Sequence, residues 1–364
     1  MRSLKDVHID DLLTECIERG GSDLHITVGL PPVIRVDGVL QRLDYEACTE
    51  LDTQRLIYDA LTDREIEEFE ETKELDFSYG VKGVSRFRFN VYRQRGSVGA
   101  AMRAIPDKVP TMEEMGLPKP EVLKRLTQLP RGLILVTGPT GSGKSTTLAT
   151  MINHINQTRS VHVITIENPI EYIHSHNKAM INQRELGKDT LSYANALRAV
   201  LREDPDVVLI GEMRDVATIE ATLTVAETGH LVFSTLHTNS AAQTVDRIVD
   251  VFPPSQQEQV RVQLANTIEG VICQQLVPLA SGRGRCAAME IMVATPGIRN
   301  LIREGKSFMI QNAIETGQEF GMQTLDDSLA QLVRQGLVTK EDAERKCHDP
   351  ETFNKLLAGA FAAY

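Results

Sequence analysis

Residues 138–146 read Gly-Pro-Thr-Gly-Ser-Gly-Lys-Ser-Thr and constrain this chain more than any other stretch. The pattern G-x-x-x-x-G-K-[ST] makes a phosphate cradle only when a buried strand leads into it and a helix leaves it. Both flanks are present. The apolar run Leu-Ile-Leu-Val at 133–136 precedes the loop, and Thr-Thr-Leu-Ala-Thr-Met-Ile at 146–152 follows it. Gly138, Gly141 and Gly143 let the backbone curl so that N–H groups of the loop, Thr140 and Ser142 included, turn toward phosphate oxygens. The helix behind adds its positive N-terminal end. By the same logic Lys144 is expected to reach the β- and γ-phosphates, and the Ser145 hydroxyl to take one position on Mg²⁺. Thr146 is the next contact. A flexible Gly/Ser turn is the competing reading, and it leaves the matching strand and helix unexplained.

A nucleotide site also needs carboxylates at the C-terminal ends of neighbouring strands, to hold Mg²⁺ and to position water. Val-Val-Leu-Ile-Gly-Glu at 207–212 is an apolar strand ending in an acid, so Glu212 is either a metal-side acid or the group that orients water. Ile-Thr-Ile-Glu-Asn-Pro-Ile-Glu at 164–171 offers Glu167 and Glu171 in the same way. Spacing does not divide the roles among the three. His230 and His237 bracket another apolar run, seven residues apart, and on a straight strand they face opposite sides, which argues against a shared metal. His237 lies at the end nearer the phosphate site and His230 suits a subunit contact. Two structural histidines are the plainer alternative.

Ahead of the loop, Ile9, Leu12, Leu13, Cys16 and Ile17 recur at helical spacing, and Asp37-Gly38 marks a hairpin turn. His25 is expected to be a hydrogen-bonded strand histidine. Residues 53–71 read as a helix, with Thr62 and Glu65 as a capping box. Residues 86–93 alternate strictly, putting Phe87, Phe89 and Val91 on the core side and Arg86, Arg88 and Asn90 on the other. With Arg103 from the next strand, one face is rich in arginine. It is either solvated charge or a set of phosphate contacts. Pro106, Pro110, Pro118 and Pro120 punctuate a linker, and the domain boundary is placed near residue 115. Beyond it, strands at 133–136, 161–166, 207–210 and 231–235 alternate with helices, the rhythm of a mostly parallel α/β sheet. After about residue 255 the remainder, including 256–273, reads as helical.

The 364 residues carry 39 Lys and Arg against 50 Asp and Glu, a formal charge of −11, which gives no support to nucleic-acid binding. Five scattered cysteines without a C-x-x-C pair indicate neither a disulfide framework nor a zinc site. With no long apolar segment, the expected location is the cytoplasm.

With these residues in hand, the chain resembles the secretion ATPase superfamily over essentially its full length, and within it the retraction ATPases of type IV pili. The resemblance rests on Ser-Asp-Leu-His-Ile at 22–26, Pro-Pro-Val-Ile-Arg-Val-Asp-Gly at 31–38, the loop at 138–146, the acidic box at 164–171 and the second acidic motif at 202–215. The histidine box at 229–239 and Thr-Pro-Gly-Ile-Arg-Asn-Leu-Ile-Arg-Glu at 295–304 complete it. Asn168 stands where the family has aspartate, which puts the weight on Glu167 and Glu171. Gly297 stands where the retraction segment has alanine.

The resemblance implies a smaller N-terminal α+β domain of PAS-like form (residues 1–115), and a RecA-like ATPase domain with C-terminal helices (residues 116–364). It also implies a homohexameric ring in which N-terminal arginines, Arg88 and Arg103 among them, close over the phosphates. Such a ring docks on the platform protein at the cytoplasmic face of the inner membrane, and related pilus ATPases are further candidate partners. The alternatives are a pilus-extension or type II secretion ATPase, which usually carries a tetracysteine zinc module, and a non-catalytic accessory ring.

Overall fold

Alternation of apolar and polar side chains decides the first part of the chain. In the computed structural model, which describes residues 1–36, 38–105 and 108–359, the unit Met1–Lys108 holds six strands. They are β1 (Asp23–Ile26), β2 (Val33–Val36), β3 (Val39–Arg42), β4 (Glu74–Val81), β5 (Ser85–Gln94) and β6 (Ser97–Ile105). All pairings are antiparallel, in the order β3-β2-β1-β6-β5-β4. Phe87, Phe89 and Val91 of β5 are fully buried and pack with helices α1 (Ile9–Glu18), α2 (Glu50–Tyr58) and α3 (Asp63–Thr72) in one core. Each such side chain contributes about 1.5–3 kcal/mol by leaving water.

Two details depart from the sequence reading. The helix expected over 53–71 is two helices, because Thr62 caps a new start: its hydroxyl accepts from the Glu65 N–H while the Glu65 carboxylate accepts from the Thr62 N–H. His25 sits in β1 as expected, but among the described residues its ring Nε2 is buried with no hydrogen-bond partner. Asp37 of the expected hairpin turn and Pro106 of the proline run lie outside the described residues.

In the unit Val109–Tyr364, helix α4 (Pro120–Thr127) leads to β7 (Gly132–Thr137), α5 (Lys144–Thr158), β8 (His162–Glu167), β9 (Met180–Glu185), α6 (Tyr193–Val200) and β10 (Val207–Ile210). There follow α7 (Val216–Glu227), β11 (Leu231–Leu236), α8 (Ala241–Asp250), α9 (Pro254–Thr267), β12 (Ile268–Pro278) and β13 (Arg285–Val293). The sheet order is β13-β12-β7-β11-β10-β8-β9, parallel throughout except for the β12–β13 pair. Each face carries its own core. Leu133 and Leu135 of β7 pack with α6 to α9, and Ile134 and Val136 with α4 and α5, so the strand is buried on both sides. That is why it reads as a continuous apolar run.

The same effect misleads at residues 256–273. The helix ends at Thr267, and Ile268 begins β12, a strand covered on both faces whose apolar residues show no period-two pattern. The expectation of an all-helical remainder is therefore corrected: β12 and β13 intervene before the short helices α10 (Pro296–Arg303), α11 (Ile310–Glu315), α12 (Leu325–Arg334), α13 (Lys340–Glu344) and α14 (Pro350–Leu357). Among the described residues no helix is long and apolar enough to cross a membrane.

Candidate active site

The parallel register lines up the strand ends. Leu236 of β11 stands opposite Thr137 of β7, while Ile210 of β10 stands opposite both Ser234 of β11 and Ile166 of β8. The loop after β7, Glu167, Glu212 and His237 consequently leave the sheet along one edge, the edge where parallel α/β sheets bind ligands.

The loop has the shape of a cradle. Gly138 and Gly143 have φ of 140° and 86°, and Gly143 hands the chain directly to the first turn of α5 at Lys144. A Cβ at Gly138 would lie 2.2 Å from the Gln274 carbonyl oxygen, and one at Gly143 would lie 2.8 Å from Gln274 Nε2. Glycine is required at both positions by conformation and by space. Lys144 is 9% exposed, and its Nζ donates to the carbonyls of Gly138 (2.8 Å) and Pro139 (3.0 Å). Burial pushes its ammonium below lysine's ordinary range, against the opposing pull of Glu212 and Glu171. Ser142 Oγ is buried with no hydrogen-bond partner among the described residues. An inward-turned cation, an orphaned hydroxyl and a glycine-lined concavity fit a polyphosphate.

Beside the loop, a cavity of about 40 Å³ is bordered by Ser145, Thr165, Glu167, Glu171, Tyr172 and His174. Its hydroxyl and carboxylate oxygens are the hard donors that Mg²⁺ takes. Burial, with Glu171 acting in the same direction, pushes the Glu167 carboxyl up to about 7, although Thr165 Oγ1 (2.6 Å) and Gln183 Nε2 (3.3 Å) donate to it. The Thr146 and Tyr172 hydroxyls are 3.0 Å apart. Burial lowers His174 to about 4, so its ring is neutral near pH 7.

Glu212 follows β10 and is held from two sides: Arg214 Nε donates to Oε2 at 2.8 Å, and His237 Nε2 lies 3.2 Å from Oε1. His230 is set apart, at the opposite end of the six-residue strand β11 and about 20 Å away along it. There its Nδ1 lies 3.0 Å from the Val225 carbonyl oxygen. Arg88 and Arg103 belong to the first unit and stand directly opposite each other across β5 and β6. Arg103 Nε donates to Asp23 at 2.8 Å, and Arg88 lies 3.8 Å from Asp76.

Gln274, Tyr172 and Gln183 all touch this arrangement without being legible in advance. Two glutamines, Gln274 and Gln275, interrupt the apolar residues at 271–276 and were the available signal, which the helical reading of the remainder after about residue 255 hid.

Known proteins share this architecture. A family model described as type II/IV secretion system protein matches residues 3–345. The type IV pilus retraction ATPase PilT of Pseudomonas aeruginosa is 52% identical over 345 residues, covering 95% of this chain and 99% of that one. A twitching motility protein of Neisseria gonorrhoeae is 48% identical over 323 residues, covering 89% of this chain and 86% of that one. Among solved structures, the pilus retraction motor PilT with bound ADP superposes with a TM-score of 0.89 at 50% identity, covering 96% of this chain and all of that one.

Proposed function

The chain belongs to the type II/IV secretion system protein family, and from that premise we propose that it is an ATPase motor that hydrolyses ATP to power type IV pilus retraction. The observation that carries the chemistry is a buried Lys144 folded back onto the Gly138 and Pro139 carbonyls of the loop, beside a cavity that Ser145, Glu167 and Glu171 border. In the nucleotide-bound protein Lys144 exchanges the Gly138 and Pro139 carbonyls for β- and γ-phosphate oxygens, and the loop N–H groups hold the rest of the polyphosphate. Ser145 and Glu212 would hold Mg²⁺, which would supply charge neutralisation at the phosphates. Glu167, with a carboxyl near 7, takes a proton from the attacking water, and Glu171 helps to orient that water. His237 keeps Glu212 in place and senses the state of the γ-phosphate. Arg88 and Arg103 are assigned to the charge that develops on transfer, a role worth roughly 10³ to 10⁵ in rate.

The working form is a homohexamer docked on the platform protein at the inner membrane. ATP-driven closure and release after hydrolysis provide the stroke. Lys144→Ala tests the chemistry: steady-state ATP turnover of the purified chain is expected to fall at least a hundredfold, and turnover within a few fold of the native chain overturns the reading.

A further inference from the structure

We infer that Gln274 is a positioning residue that locks the phosphate loop to the helix behind it, and so sets the affinity for the nucleotide without taking part in the chemistry. The inference rests on the reading of residues 138–146 as a phosphate cradle.

Strand β12 runs beside β7, and the last residue pair between them is Cys273 with Thr137. One residue further, β7 has left the sheet to become the loop, while β12 continues. Gln274 therefore stands alongside the loop where a strand neighbour would otherwise be. It is fully buried. Its side-chain amide spans two points that the nucleotide needs fixed relative to each other: Nε2 donates to the Ser142 carbonyl at 2.7 Å, and Oε1 accepts from Thr147 Oγ1 at 2.7 Å. The orientation of the amide follows from chemistry, because a carbonyl oxygen only accepts and the nitrogen must face Ser142. The Gln274 backbone carbonyl also packs where a side chain on Gly138 would be.

One residue thus touches the start of the loop, its crown and the first turn of α5. Because the peptide is planar and trans, pointing the Ser142 carbonyl at Gln274 turns the Gly143 N–H of the same peptide the opposite way, away from Gln274. A loop already held in this form loses less conformational entropy when the polyphosphate arrives. Because the clamp serves substrate and transition state alike, its loss raises KM and leaves kcat nearly intact.

The test uses the purified full chain, with Mg·ADP binding followed by isothermal titration and ATP turnover measured alongside. Gln274→Leu removes both hydrogen bonds, and Gln274→Glu keeps the acceptor for Thr147 while placing an acceptor against the Ser142 carbonyl. Both are expected to weaken Mg·ADP at least tenfold and to raise KM for ATP by a similar factor, with kcat within about threefold of the native chain. Should either variant fail to fold, Thr147→Val, which loses one anchor of the clamp, is expected to weaken Mg·ADP severalfold, and Thr147→Ser, which keeps the hydroxyl, to restore it. Unchanged affinity in the folded variants overturns the inference, as does a fall in kcat at constant KM. Failure of the native chain to bind Mg·ADP is a different result: it removes the reading of the loop, and this inference with it.

Discussion

Glu167 carries a charge question that pH answers. Its carboxyl is held near 7 mainly by burial, with Glu171 adding to the effect. A base must be ionised, so kcat/KM for ATP is expected to rise with pH along a limb centred at about 7, and Glu167→Gln to abolish most turnover. A native profile flat from about pH 5.5 to 8 would remove Glu167 from that role. Stability moves the opposite way. The folded state keeps this proton above the ordinary value of 4.5, so folding binds a proton between there and about 7, and stability falls as pH rises through that window. Glu167→Gln has no proton to lose. In nucleotide-free protein its unfolding free energy should exceed that of the native chain by ~2–3 kcal/mol more at pH 8 than at pH 4.5, read by urea denaturation.

At the scale of elements, what is local in sequence was legible and what depends on distant pairing was not. The capping box at Thr62 was visible because donor and acceptor lie three residues apart, yet the same box splits the helix expected over 53–71 into α2 and α3. Thr62→Ala should cost about 1 kcal/mol of stability in chemical denaturation, and a loss below about 0.3 kcal/mol would show that the cap is idle. The phosphate loop and the strand that leads to Glu212 were readable for the same reason: strand, turn and acid are contiguous. Strand β12 was not. Buried on both faces, it shows no alternation, and its key side chain Gln274 acts on Ser142 from 132 residues away. Phe233 illustrates the energetic weight of the two-faced sheet. It is fully buried on β11, and Phe233→Ala should cost about 3–5 kcal/mol, measured as a lowered denaturant midpoint.

The whole molecule joins a nucleotide machine to an arginine-bearing antiparallel unit, and the proposed ring gives both a purpose. A homohexamer has six times the 40.4 kDa mass of one chain, which light scattering in the presence of Mg·ATP should find; a monomer under those conditions would remove the ring from the account. The family was readable from motifs spread along the whole chain, whereas no local geometry among the described residues sets the direction of the force. The most direct measurement is therefore made in cells whose only copy carries Glu212→Ala, with surface pili counted and labelled pili followed in time. The account predicts abundant pili that extend and do not retract, with twitching motility lost. Cells without pili, or pili that retract as before, would contradict it.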